Sequence, residues 1–321
     1  MNSENLKVLF VVNVNNFGHS QSGIFTFRQF LCLQEIKNIR VSKIDLPVHQ
    51  NKFFSYLSLA FKIRKMSQNY DIIHAHHSYS ILLSWVFKKK NTRLVGTFLS
   101  DGENNFRFKF RWFNKLLYYL TQMICDHVII KNDQSVIWSK KSSVIGNPVN
   151  TDKFQSKNQL DCKKKIGLTY NRYIGIIISG NIHRLEKNIT EYHRIIYNLR
   201  NKYYPLVIND VSPDEICDYI NCCDFVLVPS KFEGSPNVVK EALACGVPVV
   251  SRDVGDVKKL LYGLQSCYVY DDPSEINIEL LEKLIDGLNP VTLRKRVIDF
   301  YGTEAEVATK IVRIYEGLIS I

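Results

Sequence analysis

Short runs of apolar residues alternate with longer amphipathic stretches along most of this 321-residue chain. Such runs are typical of buried strands in a parallel sheet, and the stretches between them are typical of crossover helices. The first half predicts, in chain order, strand 7–14, helix 25–34, strand 70–75, helix 78–87, strand 93–98, helix 116–125 and strand 127–131. The second half predicts strand 173–179, helix 189–198, strand 205–208, helix 213–222, strand 225–228, helix 238–245, strand 247–251 and helix 304–320. The chain is long enough for two domains.

The segment 228–254, VPSKFEGSPNVVKEALACGVPVVSRDV, combines the signals of a turn, a helix and a strand. Residues 232–237 have turn composition, because Gly permits a positive φ and Pro suits the first turn of a helix. Gly246 is a good helix stop, and an apolar run follows it. The start of the predicted helix directs N–H groups at whatever lies before it, which predicts an anion site suited to phosphate.

Two carboxylates flank this predicted anion site. Glu233 lies in the loop, and Glu241 lies further along the helix. Carboxylates repel phosphate, but they accept strong hydrogen bonds from sugar hydroxyls. A nucleotide diphosphate sugar offers both kinds of group, because it has a ribose, a diphosphate and a hexose. The alternative is structural, with Glu233 capping the helix and Glu241 a solvated helix charge.

Other candidates lie in loops that follow strands, since ligands bind at the carboxyl ends of strands in open parallel sheets. The loop 179–188 holds Arg184 and Lys187, two cations able to neutralise a diphosphate leaving group; the alternative is an exposed polar loop. The loop 16–23 ends in a glycine that allows close approach of a phosphate or an acceptor, and its alternative is a plain turn.

Three histidines cluster at the end of a predicted strand, in DIIHAHH. They suit either a metal site or a polar strand end. No acidic or cysteine partner lies at a useful spacing from them, so a metal is not expected. The eight cysteines of the chain include no CxxC pair, which favours reduced, buried thiols over zinc ligands.

Positive charge is concentrated in the first half of the chain. Residues 1–150 hold 20 Lys and Arg against 8 Asp and Glu, a net charge of +12, whereas the remaining residues carry −1. This asymmetry predicts an anionic partner, which could be a membrane surface, an acidic acceptor or nucleic acid. Segments 52–66 and 105–119 mix aromatic and basic residues, as suits a membrane interface; the alternative is core-facing aromatic rings between solvated cations. No nucleic-acid recognition motif accompanies them, so nucleic acid is not an expected partner.

The sequence also carries signals about its compartment. It has no uncharged apolar run of about 18 residues, and its start enters a strand without the features of a secretion signal. We therefore expect a cytoplasmic protein, with any membrane contact peripheral and on the inner face.

The segment 228–254 resembles the E-x7-E signature of glycosyltransferase family 4, whose members are retaining enzymes of the GT-B fold. The agreement covers PS before the first Glu, EGSPNVVKEALACG around the pair and VPVVS after it. Residues 144–154 resemble the V-I-x-N-x-V-D-T-x-x-F segment that crosses between domains in this family. The loop 180–187 resembles its G-R-x-x-x-x-K loop, with Asn181 where Arg is usual and one extra residue before the lysine. The loop 16–23 resembles its first glycine-rich loop, with one Gly in place of two.

The resemblance implies an α/β fold of the GT-B class, with two Rossmann-like domains facing each other across a cleft. Residues 1–148 would form the acceptor-binding domain and residues 149–303 the nucleotide-sugar-binding domain. Residues 304–321 would form a C-terminal helix able to pack back on the first domain.

The resemblance also implies roles for individual residues. Glu241 would bind ribose hydroxyls, Glu233 would orient the hexose and the diphosphate, and Lys187 with Arg184 would stabilise the departing diphosphate. The implied catalytic set is Glu233, Lys187, Arg184 and His76, the donor-binding set is Gly180, Gly234, Ser235, Pro236, Asn237, Val238 and Glu241, and the acceptor-binding set is His19, Ser22, Gly23 and Asp101. No metal or cofactor is expected, since the nucleotide sugar is a substrate.

One departure from the family concerns the acceptor side. The family commonly shows T-x-H after the strand that ends near residue 98, with the His near the reacting sugar. Here Leu99 stands in that place, and Leu cannot hydrogen-bond a hydroxyl, so Asp101, Ser100 or His76 would have to substitute.

Together these expectations describe a retaining glycosyltransferase. It would move a sugar from a nucleotide-sugar donor to a glycan or lipid-linked glycan acceptor, in cell-surface polysaccharide assembly. The alternative is a catalytically weak donor-binding subunit of a glycosyltransferase complex, with which Leu99 and the altered Lys187 loop are consistent. A basic nucleic-acid-binding protein is a third hypothesis, and the intact donor motif argues against it.

Overall fold

The chain forms two compact units, each with its own sheet. In the computed structural model, residues 6–12, 24–45, 52–98, 111–131, 139, 141–178, 185–209 and 211–320 are described. The first unit comprises Met1–Gly146 together with Glu304–Ile321, and the second comprises Asn147–Thr303.

The described part of the first unit contains a six-stranded parallel sheet with the order β2-β1-β3-β4-β5-β6. Its strands are β1 (Leu6–Val12), β2 (Ile39–Asp45), β3 (Ile72–His76), β4 (Arg93–Phe98), β5 (His127–Ile130) and β6 (Ser142–Val144). The central strands are almost wholly buried because both of their faces are covered by helices. In the register of β1, Val8 lies between Val41 of β2 and Ile72 of β3.

Helices cover both faces of this first sheet. They are α1 (Ile24–Gln34), α2 (Lys52–Met66), α3 (Ser78–Phe87), α4 (Arg111–Met123) and α12 (Glu304–Ile319). On one face, α1 and α12 pack against β1 and β3 through Phe30, Leu33 and Ile311. On the other face, α2, α3 and α4 cover the sheet through a second apolar cluster that includes Leu59 and Ile81. The helix layer α2–α3–α4 therefore lies opposite the helix layer α1–α12.

The described part of the second unit contains a five-stranded parallel sheet with the order β11-β10-β9-β7-β8. Its strands are β7 (Tyr173–Ile178), β8 (Tyr204–Asn209), β9 (Phe225–Val228), β10 (Val249–Arg252) and β11 (Tyr268–Tyr270). Its helices are α5 (Gln159–Ile166), α6 (Ile189–Leu199), α7 (Ile216–Asn221), α8 (Asn237–Ala244), α9 (Val257–Leu261), α10 (Ile278–Asp286) and α11 (Pro290–Tyr301). Apolar clusters on both sides of the sheet form the core.

The predicted fold class, α/β with two parallel-sheet domains, is confirmed. The alternating pattern placed each predicted strand and helix, with shifts at the ends that reach five residues at α4. It missed the strands β2, β6 and β11 and the helices α2, α5, α9, α10 and α11. The predicted loop 16–23 lies outside the described residues.

Candidate active site

The loop between β9 and α8 carries the most informative sequence segment. β9 is fully buried, and α8 begins at Asn237 directly after Pro236, which has an extended backbone at φ −69°. Three helices of the same unit, α5, α10 and α11, begin with an Asn side chain that accepts a backbone N–H. Among the described residues no side chain caps α8 in this way, because Pro has no side-chain acceptor. The first turn of α8 therefore keeps the electropositive character that suits an anion.

Lys187 and Glu233, predicted from two separate loops, lie in direct contact. Lys187 ends a 3₁₀ turn (Leu185–Lys187) after β7, and its Nζ lies 2.7 Å from Glu233 Oε1. The hydroxyl of Ser230 donates a hydrogen bond of 2.9 Å to the same oxygen. The two charged side chains are 16% and 18% exposed, so they are sheltered yet still reachable from solvent. The pair places a cation and a hydroxyl-binding carboxylate side by side near the start of α8.

The backbones of these two loops are also bonded to each other. The amide of Lys231 donates to the carbonyl of Glu186 at 2.8 Å. The side-chain amide of Asn188 donates to the carbonyl of Pro229 at 3.1 Å. Asn188 has a left-handed backbone with φ 52°, which Asn tolerates better than most residues and which turns the chain into α6. The Lys187–Glu233 contact is therefore held by its backbone as well as by its charges.

A polar network that the sequence did not predict lies at the carboxyl ends of β10 and β11. Arg252, the last residue of β10, binds Glu191 of α6 through Nε at 2.7 Å and Nη2 at 2.6 Å. Tyr270 at the end of β11 donates to the same carboxylate at 2.9 Å, and Asn188 donates to it at 3.0 Å. Burial opposes the ionisation of Glu191, but the hydrogen bonds from Arg252 and Tyr270 outweigh it and hold the pKa of Glu191 below its usual value. The signal that could have found Arg252 is its place just beyond the apolar run 247–250, from which Ser251 separates it.

A second buried network supports the Glu233–Asn237 loop. Asp256 Oδ2 accepts hydrogen bonds of 2.6 Å from the hydroxyls of Ser235 and Tyr301. Lys240 is fully buried; its Nζ donates to the carbonyl of Asn147 at 2.9 Å and lies 3.5 Å from the carbonyl of Ser235. Burial lowers the pKa of Lys240 to about 8, although the charges of Asp256 and Glu241 act in the opposite direction.

Gly255 allows this network to approach the loop closely. Its φ is +58°, in the region that favours glycine, and a Cβ there would overlap the carbonyl of Gly234. The segment from Gly255 to Asp256 therefore packs directly against the backbone next to Glu233. This segment and the buried Lys240 contact the Glu233–Asn237 loop from the protein interior and hold it in position.

The described donor-set residues differ in exposure. Gly234, Ser235 and Pro236 are buried, and the Ser235 hydroxyl is committed to Asp256, so its side chain supports the loop. Asn237 and Val238 in the first turn of α8, and Glu241 in its second turn, are partly exposed. Gly180 and Arg184 lie outside the described residues.

His76, a member of the implied catalytic set, is enclosed within the first unit at 1% exposure. Its ring nitrogens lie 3.4 Å from the carbonyl of Val11 and from Gln29 Oε1, and its ring stacks on that of His74. His74 is buried as well and contacts Tyr315 Oη at 2.5 Å and Thr97 Oγ1 at 2.6 Å. Burial, followed by the charges of Lys131 and His127, lowers the pKa of His74 to about 3. These contacts describe a neutral polar pair inside the core, and a catalytic role for His76 stays a prediction.

The remaining acceptor-set residues, His19, Ser22, Gly23 and Asp101, lie outside the described residues, as does Leu99. Within the described ranges, no group of three or more His, Cys, Asp or Glu side chains is arranged to hold a metal ion. No helix in the described part of the chain has the length and apolar character to cross a membrane.

Comparisons with known proteins agree with this geometry. The family model for glycosyl transferases group 1 matches residues 172–286, which include both loops of the Lys187–Glu233 contact. The uncharacterized glycosyltransferase MJ1178 of Methanocaldococcus jannaschii is 24% identical over 283 residues, covering 81% of this chain and 78% of its own length. TuaC of Bacillus subtilis, a glycosyltransferase provisionally assigned to teichuronic acid biosynthesis, is 29% identical over 138 residues, covering 37% of this chain and 35% of its own.

Solved structures show the same fold along nearly the whole chain. Sucrose-phosphate synthase from Thermosynechococcus elongatus superposes with a TM-score of 0.76 at 14% identity, covering 98% of this chain and 99% of its own. Alr3699/HepE of Anabaena, solved in complex with UDP, superposes with a TM-score of 0.70 at 16% identity, covering 98% of this chain and 100% of its own. Residues 172–286 therefore match a group 1 glycosyltransferase domain, and the two parallel-sheet units are Rossmann-like domains with the fold of GT-B glycosyltransferase structures.

Proposed function

We propose that this chain transfers a sugar from a nucleotide diphosphate sugar to a glycan or lipid-linked glycan acceptor, with retention of anomeric configuration. The observation that carries the proposal is the 2.7 Å contact between Lys187 and Glu233 beside the start of α8. It groups one cation, one carboxylate and one helix N-terminus, which are the three features that a diphosphate joined to a sugar needs.

In the proposed donor complex the phosphates lie against the first turn of α8 and near Lys187. Glu233 accepts hydrogen bonds from hexose hydroxyls, and Glu241 accepts them from the ribose. Glu233 and Lys187 neutralise each other when no donor is bound, so the carboxylate does not repel an incoming diphosphate as strongly as an isolated charge would. Arg184 and Gly180 complete the donor site in the proposal.

The proposed chemistry needs no side-chain nucleophile. As the bond between the sugar and the diphosphate breaks, negative charge grows on the leaving phosphate, and Lys187 with the α8 amides stabilises it. The leaving phosphate takes the proton of the acceptor hydroxyl on the same face of the sugar, while the new glycosidic bond forms there. No metal or cofactor takes part in this proposal.

The proposed donor and acceptor classes draw on the relatives. Alr3699/HepE was solved with UDP and with UDP-glucose, which makes uridine diphosphate sugars the first donors to test. TuaC is named for teichuronic acid biosynthesis, which supports our proposal of a role in cell-surface polysaccharide assembly. We place the enzyme in the cytoplasm, peripheral to the inner face of the membrane, and the net charge of +12 on residues 1–150 supports that location.

The test is a donor screen followed by analysis of the product. The protein is incubated with a panel of nucleotide sugars and a lipid-linked acceptor extract, and mass spectrometry records free nucleotide and acceptor mass. We expect one donor to release nucleotide and add one sugar, and the anomeric proton coupling of the product to match that of the donor. An inverted anomeric centre would contradict retention, and no turnover with any donor would contradict the transferase reaction.

A second candidate function is a donor-binding subunit with little turnover of its own. Leu99, in place of a hydrogen-bonding residue, is the observation that favours it. Calorimetry in the same donor panel separates the two functions. Tight binding of a donor without nucleotide release favours the subunit, whereas steady release favours the enzyme.

A further inference from the structure

The outer face of α2 carries a stripe of exposed apolar side chains. Phe54, Leu57 and Phe61 are all exposed, the last at 66%, and they lie at the i, i+3, i+7 spacing that places them on one side of a helix. Leu59 and Ile63 on the opposite side of the helix are fully buried in the core. The stripe is therefore additional to the face that packs on the sheet.

The neighbouring helix α4 repeats the arrangement. Trp112, Leu116, Leu120 and Met123 are exposed, with Trp112 at 68% and Met123 at 63%. Their spacing of four, four and three residues keeps them on one side of the helix. Residue Leu117 faces the opposite way and is buried. A helix that needed only to cover its sheet would have polar residues along this outer side.

The helix α3 lies between these two and adds to the same layer. Tyr79, Trp85 and Val86 are exposed on it, and the rings of Tyr79 and Tyr56 of α2 lie 5.7 Å apart. Because α2, α3 and α4 cover one face of the first sheet, their outer sides form one surface. An apolar surface contributed by three adjacent helices exceeds the scattered exposure that is normal for soluble proteins.

The charges on this layer have a single sign. The helices α2, α3 and α4 together contain six Lys or Arg and no Asp or Glu, and three lysines follow α3 directly at 88–90. Lys62 and Lys65 are exposed beside the apolar stripe of α2. The opposite layer differs, because α12 alone contains Glu304, Glu306 and Glu316. Cations without carboxylates, mixed with exposed aromatic rings, complement an anionic and partly apolar partner.

We propose that the helix layer α2–α3–α4 is a docking surface for a lipid bilayer with anionic headgroups. A bilayer interface accepts apolar and aromatic side chains at the depth of the headgroups and binds Lys and Arg through anionic lipid. A second copy of this chain is a poorer occupant, because two acid-free surfaces would bring like charges together. The proposal deepens the peripheral location given under the proposed function and identifies the surface responsible for it.

The experiment is vesicle flotation of the full chain without any nucleotide sugar, so its result is independent of the proposed transfer reaction. Vesicles contain phosphatidylcholine alone or with phosphatidylglycerol. The apolar variant is Phe61→Ser with Leu120→Ser, and its control removes two exposed apolar residues of the opposite layer, Leu31→Ser with Ile319→Ser. All four residues are exposed, so thermal unfolding should show little change in each variant.

A charge variant and its control complete the design. Lys62→Gln with Lys65→Gln removes two cations from the docking surface, and Lys310→Gln with Arg313→Gln removes two from exposed positions of α12. We expect binding to the anionic vesicles to fall roughly fivefold for each surface lysine removed and to fall with added salt. The apolar variant should lose at least roughly tenfold, and neither control should change.

Three results would overturn the proposal. The first is the absence of binding to anionic vesicles, or an equal loss in the controls. The second is binding to phosphatidylcholine alone with the same affinity and no dependence on salt. The third is a dimer, seen by light scattering without vesicles, that the Phe61 and Leu120 variant abolishes, because the surface would then bind a second copy.

Discussion

Replacing Lys187 with Met should separate the proposed catalytic contribution of this side chain from its contribution to stability. Met keeps most of the volume and the flexibility of Lys but removes its charge. In the variant, Glu233 Oε1 loses the hydrogen bond from Lys187 and keeps the one from the hydroxyl of Ser230. The change therefore acts on the candidate donor site and on one ion pair.

The expected magnitudes differ widely between the two effects. At the observed 2.7 Å, an effective dielectric constant of about 20 gives an attraction of about 6 kcal/mol before desolvation is subtracted. The pair is partly exposed, and measured net contributions of such pairs lie near 1 kcal/mol, so the free energy of unfolding should fall by no more than about 2 kcal/mol. Loss of a preorganised donor to the leaving group lowers kcat by about 10²–10³ in comparable sites.

The assay measures nucleotide release at saturating donor, together with urea unfolding of the same preparation. The matched control is Lys153→Met, because Lys153 forms a 2.8 Å ion pair with Asp214, whose side chain is 92% exposed, in the same unit. The control should lose little stability and retain its kcat. A Lys187→Met enzyme with kcat within about threefold of wild type would refute the assignment of Lys187 to the leaving group.

Three other changes test the supports of the site. Gly255→Ala should lower the free energy of unfolding by at least roughly 2 kcal/mol and raise the KM for the donor. Its control is Gly263→Ala, also at positive φ but in open space, which should lower the free energy of unfolding by only about 1 kcal/mol and keep its KM. Equal losses in the two variants would contradict the close packing of Gly255 on the Glu233–Asn237 loop. Lys240→Met tests linkage: burial lowers the pKa of Lys240 to about 8, so the native state binds this proton less tightly than the unfolded chain does. Wild type should therefore gain unfolding free energy relative to Lys240→Met as the pH rises from about 8 toward the unfolded pKa of 10.5, and parallel urea curves across that range would contradict it. Arg252→Lys, which cannot form the bidentate contact with Glu191, should raise the KM for the donor several-fold with little change in kcat; an unchanged KM would show that the network does not position the loop.

The sequence predicted the alternation of strands and helices in two domains, but it missed several individual strands and helices. Strands such as β9, FVLV, are buried on both faces and are therefore recognisable as apolar runs. The helix α5 was missed because its sequence, QLDCKKKI, has few apolar residues, and its bounds depend on the cap of Asn158 and on Gly167 at φ 77°. The strand β11 has three residues and pairs only at the sheet edge, which is too short for a pattern to reveal.

The candidate site also combines residues that the sequence predicted with contacts that it could not predict. Glu233 and the start of α8 are close in sequence, so their spacing and resemblance identified them. Lys187 was predicted from its own loop, but its contact with Glu233 spans 46 positions, and no local rule could give the distance. The contact between Arg252 and Glu191 spans 61 positions and depends on the order of strands in the sheet.

His74 shows a different case, because it belongs to a histidine cluster that suited either a metal site or a polar strand end, and it is part of the core. Its partner Tyr315 lies 241 positions further along the chain, in α12. The alternation in HAH placed His74 and His76 on one face of β3, but the sequence could not show which helices would cover that face.

The position of α12 in the first unit has a consequence for how the protein is made. The second unit is one continuous stretch, Asn147–Thr303, so all of its core residues have been synthesised before α12 emerges. The first unit begins earlier, yet Val8 and Phe10 lack part of their cover until Val307, Ile311 and Tyr315 arrive. During translation the later domain can therefore finish folding first, while the earlier one holds an uncovered apolar sheet face that a chaperone would recognise.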